Sequence, residues 1–124
     1  MKYSIAFLAL FGCSVQAHEM TPAYPVLEQS FVEGVLQTNV KLFNRRSDIN
    51  YYEISVYDNQ WEPMLFATES NIVRIDYLKK KTIEIYLRSE DAGKAGWICT
   101  KSKITKGEAT SVVSSRICSK IKSE

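Results

Sequence analysis

The chain has 124 residues and a mass of 14.2 kDa, enough for one domain of ordinary size and too little for two. Apolar residues make up 45% and charged residues 24%, a mix that can bury a core and argues against disorder. Sixteen Lys and Arg stand against fourteen Asp and Glu, with a single His, so neither a surface of clustered positive charge for nucleic acid nor a multi-histidine metal site is expected.

Residues 1–17, MKYSIAFLALFGCSVQA, have a basic start at Lys2, an apolar run from Ile5 to Phe11 and small residues at Val15 and Ala17. This is the pattern of a secretory signal peptide. The run falls short of the roughly 20 apolar residues that span a bilayer, and no later segment approaches that length, so no integral membrane segment is expected in the mature chain. Leu10-Phe11-Gly12-Cys13 also looks like a lipobox, which would anchor a lipoprotein through Cys13. Phe11 stands where that pattern has a small or β-branched residue, so cleavage after Ala17 is expected, leaving a mature domain of residues 18–124 in the periplasm or secreted.

The mature chain begins HEMTPAYPVLEQSFVE, whose two prolines suit an extended edge segment that switches or frays. From Gly34 to Phe43, Leu36, Thr38, Val40 and Leu42 alternate with Gln37, Asn39 and Lys41, the period of a half-buried strand. Polar residues Asn44 to Asp48 supply a turn, and Tyr52, Ile54 and Val56 then alternate with Glu53 and Ser55 as a second strand, expected to pair with the first. Trp61 to Ala67 contains Pro63 and is either a short edge strand or a crossing loop. Asn71 to Leu78 and Thr82 to Arg88 each place aliphatic residues on one face, with Lys79, Lys80 and Lys81 as the solvated turn between them or as a docking patch for anionic lipid or nucleic acid. Ser89 to Gly96 is a loop, and Trp97 to Ile104 and Val112 to Ile121 are two further extended runs.

Removal of Cys13 leaves Cys99 and Cys118 in an exported chain, an even pair that is expected to form one disulfide. If the two face each other across a hairpin, Thr100 lies opposite Ile117, Ile104 opposite Val113, and the turn centres between Glu108 and Ala109 beside Gly107. A bridge between sheets would satisfy the chemistry equally well. About seven strands, short turns and no convincing helix predict an all-β fold, a single immunoglobulin-like antiparallel β-sandwich with a disulfide-stapled C-terminal hairpin.

No catalytic constellation is apparent, because the only histidine, His18, falls at the expected mature N-terminus, where chains are mobile. Glu53, Asp58, Asp76 and Glu84 all fall on polar faces and read as solvated groups, and no phosphate-binding glycine loop is present. A non-enzymatic protein without cofactor follows. An N-terminal histidine can chelate copper through its amine and ring, as in exported copper-binding sandwiches that begin with histidine, but those recruit a second histidine and none exists here.

Tyr51 and Tyr57 share the outward face of their strand with Glu53 and Ser55, and such rings either bind a partner or cover a sheet face. Charge is uneven: residues 18–100 hold nine basic and twelve acidic residues, whereas residues 101–124 hold six basic and two acidic. Lys101 and Lys103 therefore belong to a basic hairpin that can orient an acidic partner or deter edge aggregation.

The stretches VKLFN, YYEISVYD and LFATESNIVRIDYLKKKTIEIYLR resemble the N-terminal immunoglobulin-like domain of periplasmic pilus chaperones, the PapD-like fold, over about sixty residues. That resemblance implies binding of a protein in the envelope by strand addition at a sheet edge. The chaperones' second domain and cleft have no counterpart here, so their carboxylate-anchoring role does not pass to Lys101 or Lys103. The tail WICTKSKI…SSRICSK also looks like small exported proteins encoded by bacteriophages, which implies a structural accessory role in a virion or envelope. The expected function is thus an exported binding module acting through a sheet edge or the tyrosine face, with structural accessory and copper-binding roles as alternatives.

Overall fold

The computed structural model describes residues 18–103 and 114–122. The expected signal peptide with Cys13, and the Ile104 to Val113 pairing, lie outside the described residues. Eight strands run in chain order: β1 (Glu19–Thr21), β2 (Glu28–Gln29), β3 (Val35–Phe43), β4 (Tyr51–Asp58), β5 (Ile72–Arg74), β6 (Lys80–Arg88), β7 (Ala95–Lys103) and β8 (Arg116–Lys120). They form two antiparallel sheets packed face to face, an immunoglobulin-like sandwich. In the first sheet β3 pairs with β6 on one side and with β1 and β2 on the other. The second runs β5-β4-β7-β8.

The alternation read from the sequence is the alternation that packs. Val40 and Leu42 of β3 and Ile83, Ile85 and Leu87 of β6 face Tyr52, Ile54 and Val56 of β4, Val73 of β5 and Ile98 of β7, all buried. Two expected pairings differ. The strand at 34–43 does not pair with the one at 51–58, because β3 and β4 sit in opposite sheets and the polar turn between them carries the chain across the core. Likewise the lysine run does not join a hairpin: β5 pairs with β4 while β6 pairs with β3, and Lys80 and Lys81 already belong to β6. Period-two alternation specifies which face is buried and leaves the neighbour open. The crossing is made at Asp76 to Lys79, with Leu78 in the left-handed region (φ 62°) and the Lys79 N–H donating to the Asp76 carbonyl.

Both proline-containing and loop segments also cross. The N-terminal segment does switch: after β1 it leaves the first sheet, the Lys120 and Lys122 N–H groups donate to the Ala23 and Pro25 carbonyls, and it returns as β2. Trp61 to Ala67 is a crossing segment, bridged to β4 at Tyr57–Pro63 and to β6 at Ala67–Tyr86. The loop at Ser89–Lys94 is one short 3₁₀ turn whose buried Asp91 carboxylate is held by Arg88 and Lys94, which keep its carboxyl below the usual range.

Asn44, at the end of β3, occupies the crossing between sheets. Its side-chain amide donates to the Ile49 (2.7 Å) and Ile75 (2.8 Å) carbonyls, and its oxygen accepts the Arg46 N–H and the Tyr52 hydroxyl. Its backbone N–H donates to Lys79 and its carbonyl accepts from Leu78. The side chain therefore spends both donors and both acceptor positions with none exposed. Tyr52, buried beneath it, is pushed up to about 12 by desolvation, with Asp48 adding and Arg46 opposing, so its phenol stays a donor. Replacing Asn44 by Ala leaves four buried polar groups without partners, and urea unfolding should show a loss of about 3 to 4 kcal/mol. A loss under 1 kcal/mol would mean that water enters and satisfies them.

Candidate functional site

The outward face of the second sheet gathers the residues that the sequence singled out. Register places Tyr51 between Arg74 and Lys103, Glu53 beside Lys101 and then Arg116, Ser55 beside Cys99 and then Cys118, and Tyr57 beside Trp97 and then Lys120. All of these share one face because side chains alternate along each strand. Tyr51, Tyr57, Lys101 and Lys103, two pairs from different strands, thus lie together on one surface.

The disulfide links Cys99 to Cys118 directly across β7 and β8, with Cα atoms 4.1 Å apart. Thr100 does lie opposite Ile117, so the bridge belongs to the hairpin and not to a join between sheets. It ties the edge strand β8 to β7, and Cys99 forms part of the floor of the site. The Cys99 side is 2% exposed, and an Arg116 N–H points to its sulfur at 3.6 Å.

A turn built for one side chain follows β4 at the Trp97 end of the same face. The Asp58 carboxylate accepts the N–H groups of Gln60 (2.8 Å) and Glu62 (2.9 Å), and the Trp61 N–H donates to the Asp58 carbonyl. Trp61 is held at φ 64°, a conformation that costs a bulky residue on the order of 1 kcal/mol. Gly96 lets the turn dock on β7, since a Cβ there would stand 2.6 Å from the Asp58 carbonyl oxygen. The outcome is an aromatic row. Trp61 stacks on Trp97 (4.6 Å, 15°) and tilts against Tyr57 at 6.0 Å, while remaining 47% exposed. Arg116 lies over Tyr57 (5.0 Å) and Trp61 (5.5 Å), and Lys120 over Trp97 (4.6 Å).

Electrostatics on this face are one-sided. Lys103 pairs with Glu53 (3.2 Å) and Arg74 with Asp76 (3.1 Å). Lys101, Arg116 and Lys120 have no carboxylate partner among the described residues. Between Glu53, Ser55, Tyr57, Cys99, Lys101 and Arg116 lies a depression of about 160 Å³. Sequence reasoning missed Trp61, Trp97, Arg116 and Lys120 as members of this surface. The pairing of Tyr57 with Trp97 was out of reach, but Arg116 and Lys120 share the parity of Cys118 and the hairpin register would have placed them.

The expected acidic candidates are accounted for locally: Glu84 accepts the Tyr86 hydroxyl, Asp58 shapes its turn, and Glu53 and Asp76 are paired. His18 corrects an expectation. Far from being mobile, it is 1% exposed, packed 4.6 Å from the Tyr52 ring, with Nε2 2.8 Å from the Thr100 hydroxyl and Nδ1 3.1 Å from that of Ser115. Both ring nitrogens are therefore engaged. A buried imidazole next to β1 and β7 packs as a core side chain whose polar atoms are satisfied by hydroxyls, something a position near an expected terminus does not reveal. No group of three or more metal-ligating side chains occurs among the described residues, and none of their helices is long and apolar enough to cross a membrane.

No protein-family model matches this chain, and a search of curated proteins finds none that matches it.

Two outcomes follow from this geometry. Burial, the largest effect, pushes His18 down to about 4 from its ordinary 6.5, a backbone hydrogen bond to Thr100 opposing and the Arg46 charge adding. The unfolded chain binds the proton more tightly, so this contribution is complete above pH 6.5 and is lost as pH falls toward 4. Urea unfolding of wild type and His18→Gln between pH 7 and 4 should show a flatter dependence in the variant; parallel curves would assign the titration elsewhere. Separately, Cys99→Ala with Cys118→Ala should cost about 3 kcal/mol, the entropy of a loop of about twenty residues, and loosen the aromatic row, seen as a red shift of tryptophan emission. An unchanged midpoint would remove the staple from the stability of the fold.

Proposed function

We propose that this chain is an exported, non-enzymatic binding module that captures another protein in the periplasm or at the cell surface through the outer face of the β5-β4-β7-β8 sheet. The observation that carries it is Trp61, a large aromatic residue held exposed in an unfavourable backbone conformation by a dedicated turn, stacked on Trp97 of a strand that the disulfide staples to its neighbour. Strain of this kind persists where the surroundings enforce it, and it concentrates at binding surfaces. Aromatic and arginine side chains on a rigid sheet bind at low entropic cost, since little freedom remains to be lost.

A sheet edge is the other surface such a module can use, as the similarity to pilus-chaperone domains implies. Of the four sheet edges among the described residues, β5 and the β1 and β2 side are strands of only two or three residues, too short to template much pairing, and the other two are protected. The β8 edge is covered, because Lys120 and Lys122 donate to Ala23 and Pro25. The β6 edge begins with Lys80 and Lys81, charged residues of the kind that deter strand addition. The face is therefore favoured over the edge.

A photo-crosslinking residue replacing Tyr51, applied to envelope extract, should trap a discrete partner, whereas the same residue replacing Tyr86 on the outer face of the opposite sheet should not. The double change Tyr51→Ser and Tyr57→Ser should reduce capture at least fivefold and cost about 1 kcal/mol of stability through lost ring contacts. Equal trapping from both faces, or loss of folding in the double variant, would sink the proposal.

A further inference from the structure

Resting on that assignment of the face, we infer that the partner presents an acidic peptide segment, one of whose carboxylate side chains enters the depression between Lys101 and Arg116. Residues 18–100 carry nine basic and twelve acidic residues, so the body is mildly acidic. On this one face, three cations lack carboxylate partners among the described residues, and the only carboxylate lining the depression, Glu53, is already neutralised by Lys103 at 3.2 Å.

Geometry then narrows the ligand. The depression, about 160 Å³, is large enough for an Asp or Glu side chain. Arg116 is fixed above Tyr57 and Trp61, and of its five N–H donors the described residues engage one, toward the Cys99 sulfur. A guanidinium resting on two rings with donors still free suits a bidentate carboxylate bond. Lys101, exposed on the adjacent strand, adds a second charge, and Ser55 adds a hydroxyl at the floor.

Single-stranded nucleic acid, the other polyanion, is disfavoured by the rings. Its bases need free aromatic faces to stack on. Here Trp61 and Trp97 stack on each other, Lys120 covers Trp97, and Arg116 covers Tyr57. Three unpaired cations are also few for a phosphate backbone.

The chain's two tryptophans, Trp61 and Trp97, both sit on this face and report directly on its occupancy. The probe is a fluorescein-labelled decapeptide of alternating Glu and Thr, compared with its Gln–Thr counterpart and with a ten-nucleotide oligothymidine, each titrated against the full mature chain. The Glu peptide should bind at least tenfold tighter than the Gln peptide, shift tryptophan emission, and weaken between 50 and 500 mM salt. Arg116→Ala and Lys101→Ala should each weaken it at least fivefold, while Lys41→Ala on the other sheet leaves it unchanged. Lys101 is exposed, which keeps the test independent of packing lost with Arg116. Equal binding of the Glu and Gln peptides, tighter binding of oligothymidine, or no binding of either peptide at millimolar concentration would overturn the inference. Crosslinking from Tyr51 decides separately whether the face is used at all.

Discussion

Everything else in this sandwich depends on how the chain passes from one sheet to the other, and Asn44 governs that passage. A backbone leaving a strand inside a core must satisfy its polar groups without water. Asn44 does so for three segments at once: the 46–49 turn through Arg46 and Ile49, the end of the β5 region through Ile75, and β4 through Tyr52. Because the amide uses every donor and acceptor it has, no neighbouring segment can shift without leaving a buried group unpaired. Such a network gains specificity from the low dielectric around it, since each alternative arrangement is penalised. The β3 to β4 and β5 to β6 connections close on the same residue, so the two crossings are fixed together.

A second constraint fixes the outer face. The Cys99–Cys118 bridge locks β8 to β7, and Gly96 lets the Asp58 turn approach β7 closely enough to set Trp61 on Trp97. Cations then settle on the rings: Arg116 on Tyr57 and Trp61, Lys120 on Trp97. These contacts hold long side chains that would otherwise be free, and what remains available to a partner is charge presented from a rigid surface. The outer face of the first sheet is different: Gln37, Asn39, Lys41, Thr82 and Glu84 lie between two separated rings, Tyr86 and Phe43, the latter under Arg45 and Lys80.

Much of this was legible from residue order because the physics is local. Alternation assigned Val40, Leu42, Ile54, Val56, Ile83, Ile85 and Leu87 to the core, and all are buried. The hairpin register followed from placing the two cysteines opposite each other, and Thr100 faces Ile117 as that register requires. What failed were neighbour assignments and the surroundings of single residues. The strands at 34–43 and 51–58 alternate equally well in one sheet or in two, and a lysine run serves equally as a hairpin turn or a crossing. His18 looked like a loose end because its partners, Tyr52, Thr100 and Ser115, are far away in sequence.

By itself, then, the sequence determined the β class, the inward and outward faces of each long strand, the pairing of the two cysteines and the clustering of positive charge in the last hairpin. Each of these depends on period-two geometry or on composition, and neither needs knowledge of distant neighbours. Tertiary structure alone decided which strands share a sheet, that the single histidine is a buried core residue, and that Trp61, Trp97 and Arg116 meet around Tyr57. Those outcomes depend on contacts between residues dozens of positions apart, which loop closure and packing select and no local pattern records.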